Sequence, residues 1–189
     1  MSDRRPGAFL DRDGTIIVDV DHVRRAEDVS LIPGAAEAIA ALNGAGIPVI
    51  VVTNQSGIAR GLFTEKEYEE VTSRMDALLS DEGAHIDASY YCPHHPEFGG
   101  LCACRKPGTL LYEQAVTDLG LDPAASAYFG DRWRDVAAAT TLGGRGYLIP
   151  SPATTAEDRF KVGGAIRVAS SLAHAISDAF GLTTDKLSR

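Results

Sequence analysis

The chain has 189 residues, enough for one domain with a sizeable core, and its 44% hydrophobic and 23% charged residues set it well apart from disordered chains. Eighteen basic against 26 acidic residues leave a formal net charge of -8, which argues against a nonspecific nucleic-acid binder or a protein drawn to anionic membranes; an anionic ligand must be met by locally placed cations. The longest apolar stretch, around residues 47–52, is far short of the roughly 20 residues of a membrane span, and Asp3 and Asp11 interrupt any N-terminal signal pattern, so a cytoplasmic protein with neither nucleic-acid nor membrane partner is expected.

In chain order, apolar runs of strand length at 8–10, 48–52, 88–91, 126–129 and 146–149 alternate with segments whose apolar residues recur every three or four positions. These are Ile39 and Leu42; Tyr68, Val71, Met75 and Leu78; Leu111, Ala115 and Leu119; and Ile166, Ala169, Ala173, Ile176 and Phe180. Continuous apolar strands read as buried on both faces, and the periodic segments as amphipathic helices. Pro33-Gly34 precedes the first helix, Thr64 with Glu67 makes a capping box for the second, and Gly120 ends the third. The alternation predicts a doubly wound, Rossmann-like parallel α/β sheet with helices on both faces, one domain spanning 1–189. Residues 151–164 read as a loop and the last eight or so as a mobile tail. The segment 16–33 is too short for a cap domain, and 56–105 holds little beyond a helix, a strand and a cysteine-rich loop. No large cap is therefore expected, and the ligand crevice should be open.

The strand ends carry the chemistry. Asp11-Arg12-Asp13-Gly14-Thr15 follows the first strand, Thr53-Asn54-Gln55-Ser56-Gly57 the second and Gly130-Asp131-Arg132 the fourth. Ligands of open parallel sheets bind outside the carboxyl ends of the strands, so the three clusters should converge on one crevice. Carboxylates from two strand ends suit a hard divalent ion such as Mg2+, with Asp11 and Asp131 as side-chain ligands. A carboxylate at Asp11 can attack phosphorus to give an acyl phosphate, and Asp13 can protonate the leaving oxygen and later activate water. Asp135 reads equally as support for the metal site or as the N-cap of a helix over 135–142.

Taken in order, "FLDRDGT", "VVTNQSGIARG", "CRKP" and "FGDRWRD" resemble the four motifs of the haloacid dehalogenase superfamily of phosphatases. With "CPHH" before "CAC", they resemble more narrowly its heptose-bisphosphate and histidinol-phosphate phosphatase branch. The likeness runs from about Ala8 to Ile149. It implies that Asp11 is nucleophile and magnesium ligand, and that Asp13 is general acid/base and lends its carbonyl to the metal. It also implies that Thr53 and Asn54 hold phosphate oxygens, Lys106 neutralises the phosphoryl group and Asp131 completes the magnesium site.

The three cysteines fall within thirteen residues, an odd, clustered set that suits a metal better than disulfides. Cys92-Pro-His94 and Cys102-Ala-Cys104 supply four ligands for a closed, structural Zn2+ site that would hold Arg105-Lys106 against the crevice. His95 is an alternative to His94; the resemblance points to His94. Arg60, Arg105 and Arg132 are available to a second anionic group, which favours a phosphorylated sugar, heptose 1,7-bisphosphate cut at the 7-position, as substrate. Histidinol phosphate, whose cationic amine would prefer Asp19, Asp21 or Glu97, is the runner-up. A phospho-acceptor signalling module shares the Asp, Thr and Lys pattern, but Asp13 promotes turnover of an acyl phosphate rather than its storage. A monomer is expected.

Overall fold

The computed structural model describes residues 4–20 and 22–182. The expected mobile tail, apart from Leu182, and Asp21 lie outside the described residues. Six strands, β1 (Ala8–Leu10), β2 (Val49–Asn54), β3 (Ala88–Cys92), β4 (Ala127–Gly130), β5 (Arg145–Leu148) and β6 (Ile166–Val168), form one sheet in the order β3-β2-β1-β4-β5-β6. Every pairing is parallel. The helices are α1 (Ala35–Gly44), α2 (Glu65–Asp81), α3 (Leu110–Leu119), α4 (Trp133–Val136), α5 (Ala138–Leu142), α6 (Ala156–Phe160) and α7 (Leu172–Phe180).

Strand alternation divides the core in two. Ala8, Leu10, Val49, Val51 and Phe129 face one layer with Ile39 and Leu42 of α1, Met75 of α2 and Ile176 of α7. Phe9, Ile50, Val52 and Tyr128 face the other with Tyr112 and Ala115 of α3 and Ala138 of α5. Successive side chains of a strand point to opposite faces, so apolar residues at every position require both faces covered. Phe9 stacks on Tyr128 at 5.0 Å, and both meet Tyr112 edge-on. The helix boundaries fall where expected: Gly34 before α1 and Gly120 after α3 both lie in the left-handed region, and Thr64 and Glu67 cap α2 reciprocally.

Three local readings need correction. Ile166 does not open the last helix; Ile166–Val168 is edge strand β6, paired with β5, and α7 begins only after Ser171, whose hydroxyl accepts from the His174 amide. A three-residue strand with two β-branched residues is too short to show a period, and its Ile166–Ala169 spacing matched a helix by coincidence. Within 151–164 lies α6, started by a Thr155/Asp158 capping box. The span 135–142 is two short helices, α4 and α5, so Asp135 sits inside a helix and is not an N-cap.

β1 lies between β2 and β4, so the connections from β1 and β4 leave on opposite sides and open a crevice at their carboxyl ends. Among the described residues no helix is long and apolar enough to cross a membrane. Replacing Thr64 by Ala removes the hydroxyl that accepts from the Glu67 amide while leaving the backbone amide that donates to the Glu67 carboxylate, and the urea unfolding midpoint should fall by an amount equivalent to about 1 kcal/mol.

Candidate active site

The loops leaving β1, β2 and β4 meet above the switch point. The Asp11 amide donates to the Phe129 carbonyl at 2.9 Å, tying the start of the first loop to β4. Oxygens of Asp11, Asp131 and Asp135 lie within 4.8 Å of one another, and all three side chains are buried. Gly14 makes this approach possible: its φ is 80°, and a Cβ there would stand 2.5 Å from Asp131 Oδ2.

Lys106, 2% exposed, reaches into this cluster from the cysteine loop. Its Nζ donates to Asp11 Oδ1 and to the Val52 carbonyl, each at 2.7 Å, and forms an ion pair with Asp135 Oδ1 at 2.7 Å. Its backbone is held by Asn54, whose Oδ1 accepts from the Lys106 amide at 3.0 Å while Nδ2 donates to its carbonyl at 3.2 Å. The Asn54 Oδ1 and one of its two Nδ2 hydrogens are thus engaged by Lys106, and the residue borders the crevice.

Burial dominates the protonation of two of these carboxylates, Asp11 and Asp131. Burial, reinforced by Asp135 and opposed by Lys106, pushes the Asp11 carboxyl up to about 7. Burial, opposed by the Ser151 hydrogen bond, pushes Asp131 up to about 6. Burial would lower the Lys106 ammonium, but Asp11 and Asp135 outweigh it and hold it protonated. An all-oxygen donor set with surplus negative charge fits a hard divalent cation.

The Asp13 carboxyl is outside this three-carboxylate cluster but borders the same cavity. Oδ1 accepts from Arg12 Nε at 3.2 Å and Nη2 at 3.0 Å; Oδ2 accepts from Arg12 Nη2 at 3.0 Å and Gln55 Nε2 at 2.8 Å. Gln55 Nε2 also donates to the Thr53 hydroxyl at 2.9 Å, joining the first two motifs. Asp11, Asp13, Thr53, Asn54, Asp131, Arg132 and Asp135 border one small cavity of about 40 Å³.

The cationic residues are divided. Arg132 borders that cavity, but its Nε donates to Asp158 at 2.8 Å. Arg105 Nη1 donates to the His94 carbonyl at 3.2 Å. Arg60 lies outside the carboxylate cavity, in a basin with His22, Arg24 and Leu62.

The cysteine ligands assemble. Cys92, Cys102 and Cys104 sulfurs lie 3.6, 3.1 and 3.3 Å apart pairwise, unbridged, and His94 Nδ1 comes within 3.2 Å of Cys104 Sγ and 3.6 Å of Cys92 Sγ. His95 turns away: its Nδ1 accepts from the Glu97 amide. Three thiols and an imidazole nitrogen converging without a disulfide fit zinc, which binds thiolate at about 2.3 Å and imidazole at about 2.0 Å.

Four contributors were not singled out from the sequence. Arg12 and Gln55 hold Asp13. Ser151 donates to Asp131 Oδ2 at 2.5 Å. Arg134 borders the cavity, where Asp135, Asp11 and Asp131 keep its guanidinium charged against burial. Arg12, Gln55 and Arg134 stand inside the motif segments, where nothing local to the sequence marks an arginine or a glutamine as part of the site.

Comparison with known proteins accords with this geometry. A family model described as haloacid dehalogenase-like hydrolase matches residues 4–143. The chain belongs to that family. It is 43% identical over 144 residues to a Haemophilus ducreyi D-glycero-beta-D-manno-heptose-1,7-bisphosphate 7-phosphatase, covering 74% of this chain and 79% of the relative. The protein of the same name from Escherichia coli K12 is 44% identical over 144 residues, covering 74% and 75%. A solved structure of D,D-heptose 1.7-bisphosphate phosphatase from B. bronchiseptica, complexed with magnesium and phosphate, superposes with a TM-score of 0.83 at 31% identity, over 93% of this chain and 98% of that one.

Without a cation, the raised Asp11 and Asp131 carboxyls bind protons more readily folded than unfolded, so their contribution to stability falls as pH rises from about 4 to about 7. A divalent cation needs both deprotonated. The gain in Tm between chelated and magnesium-saturated protein should therefore grow from pH 5.5 to pH 8, as thermal denaturation would record.

Proposed function

We propose that this chain is a Mg2+-dependent phosphatase that removes the 7-phosphate of D-glycero-D-manno-heptose 1,7-bisphosphate through an aspartyl-phosphate. The observation that carries the chemistry is the convergence of the Asp11, Asp131 and Asp135 carboxylates, two of which, Asp11 and Asp135, pair with the buried Lys106 ammonium. The substrate rests on the likeness to the heptose bisphosphate 7-phosphatases. Asp11, Asp131 and the Asp13 carbonyl are the residues that would hold Mg2+, which supplies neutralisation of phosphoryl charge when bound.

An Asp11 carboxylate oxygen attacks phosphorus, and the bond from phosphorus to the sugar oxygen breaks. Asp13 gives its proton to that oxygen. In the second step water attacks the same phosphorus, its proton passes to Asp13, and the bond to Asp11 breaks to release inorganic phosphate and the free carboxylate. Thr53 and Asn54 orient the phosphoryl oxygens, and Lys106 balances their charge. Arg60, Arg105 and Arg132 are assigned to the second anionic group; Arg105 and Arg132 adjoin the metal loop and the carboxylate cavity respectively.

Cys92, His94, Cys102 and Cys104 would bind structural Zn2+. Support comes from the approach of all four ligand atoms to within 4.8 Å and from the position of Lys106 two residues beyond Cys104.

Purified protein should release phosphate from heptose 1,7-bisphosphate in Mg2+, with Asp11→Asn reducing turnover by at least a thousandfold. Preference for histidinol phosphate would overturn the substrate, and a stable phosphoprotein without repeated turnover would overturn the mechanism. Metal analysis should find one zinc per chain, with Cys102→Ser losing zinc and phosphatase activity together; full activity without zinc would refute the structural role.

A further inference from the structure

Arg12 is 1% exposed, one of the largest fully buried side chains of the protein, yet it follows the nucleophile directly in a polar loop. Its guanidinium lies 5.3 Å over the ring of Tyr68, on α2, which in turn packs on Tyr91 at 4.3 Å. Nε and Nη2 are committed to Asp13, whose side chain remains 23% exposed. Nη1 is buried with no hydrogen-bond partner among the described residues.

This is a poor arrangement for stability alone. Burying a guanidinium with one nitrogen unsatisfied is costly, and an apolar side chain of similar length would fill the space beside Tyr68 without that cost. What the arrangement secures is a fixed carboxyl plane. Asp13 Oδ1 accepts from both Nε and Nη2 of a rigid fork, and Oδ2 accepts from the same Nη2 and from Gln55 Nε2. We propose that Arg12, braced on Tyr68, is the positioning residue that aims the Asp13 carboxyl at the leaving oxygen. The proposal rests on the role given to Asp13 above. Arg12 forms no bond to the substrate in this scheme; it acts by restricting Asp13, and its donors are already in place for the carboxylate that remains after the proton has moved to the sugar oxygen.

The consequence depends on the leaving group. A sugar alkoxide needs the proton; a 4-nitrophenolate leaves without it. With Arg12→Met, which keeps an apolar stem against Tyr68, the single-turnover rate of phosphoryl transfer from heptose 1,7-bisphosphate should fall about 30- to 100-fold, with KM within about threefold of the parent. The nitrophenolate burst from 4-nitrophenyl phosphate should keep its rate within about threefold, followed by slow turnover because hydrolysis of the acyl phosphate still needs Asp13. Arg12→Lys should recover part of the sugar-phosphate rate, and Tyr68→Leu should show the same selective loss at smaller size. Equal losses on both substrates in Arg12→Met and Tyr68→Leu, or no loss on either, would overturn the proposal. If the parent protein shows a nitrophenolate burst but leaves the bisphosphate intact, the substrate assignment fails. The positioning role is then judged by the same comparison between 4-nitrophenyl phosphate and a simple alkyl phosphate. Circular dichroism and Tm of each variant separate these outcomes from misfolding.

Discussion

The ammonium of Lys106 is the point through which the site is assembled. It stands 2.7 Å from an oxygen of the β1 loop, a carbonyl of β2 and a carboxylate of α4, so three elements separated in sequence are fixed by one buried charge. A buried cation is tolerated only where it is paired and hydrogen-bonded, and here it has two hydrogen-bond acceptors and two carboxylate counter-charges. The same ion explains why Asp135 belongs to the site although it points from inside a short helix. Its Oδ2 accepts from the Arg132 amide, which anchors the start of α4, while Oδ1 faces Lys106.

Around that centre the strand ends are braced from behind. Asn54 holds the Lys106 peptide, and Ser151 and Thr154 hold the Asp131 side chain and carbonyl. Asp158 accepts from the Trp133 amide and the Arg132 guanidinium while capping α6. These hydrogen bonds keep its carboxyl well below the usual range, against the opposing effect of burial. α6 is therefore more than a connector: it ties the loop after β5 to the first turn after β4, where Asp131 sits.

The chemistry was legible in the sequence to the extent that it is local. Asp11 and Asp131 directly follow a strand, Asp13 lies two residues beyond Asp11 and Thr53 is the penultimate residue of β2, so reading the strands also locates the residues, and the parallel topology places all of them at one end of the sheet. The cysteine cluster was legible for the same reason, since its four ligands lie within thirteen residues. Arg12 was not, because its burial depends on Tyr68 from a distant helix, and nothing in Asp-Arg-Asp distinguishes a solvated arginine from one roofed by a ring. β6 and α6 were missed for another reason. Elements of three and five residues are shorter than the window in which a period can be recognised, and tertiary pairing rather than propensity determines them.

The cysteine loop and the carboxylate cluster are physically one unit. Cys104 contributes a sulfur to the first, Lys106 an ammonium to the second, and Arg105 between them donates back to the His94 carbonyl. A lysine on a free loop would lose about 2 kcal/mol of rotamer freedom on entering a buried pocket, along with the backbone entropy of its neighbours. The proposed zinc, tethering the loop by four ligands two residues earlier, would impose much of that ordering in advance. The Asn54 clamp then fixes the remaining degree of freedom, the orientation of the Lys106 peptide relative to β2. Precision at the nucleophile thus comes from constraints outside the reacting groups, and the two proposed metal sites would serve one arrangement: one fixes the chain that carries the cation, the other neutralises the carboxylates that the cation leaves uncompensated.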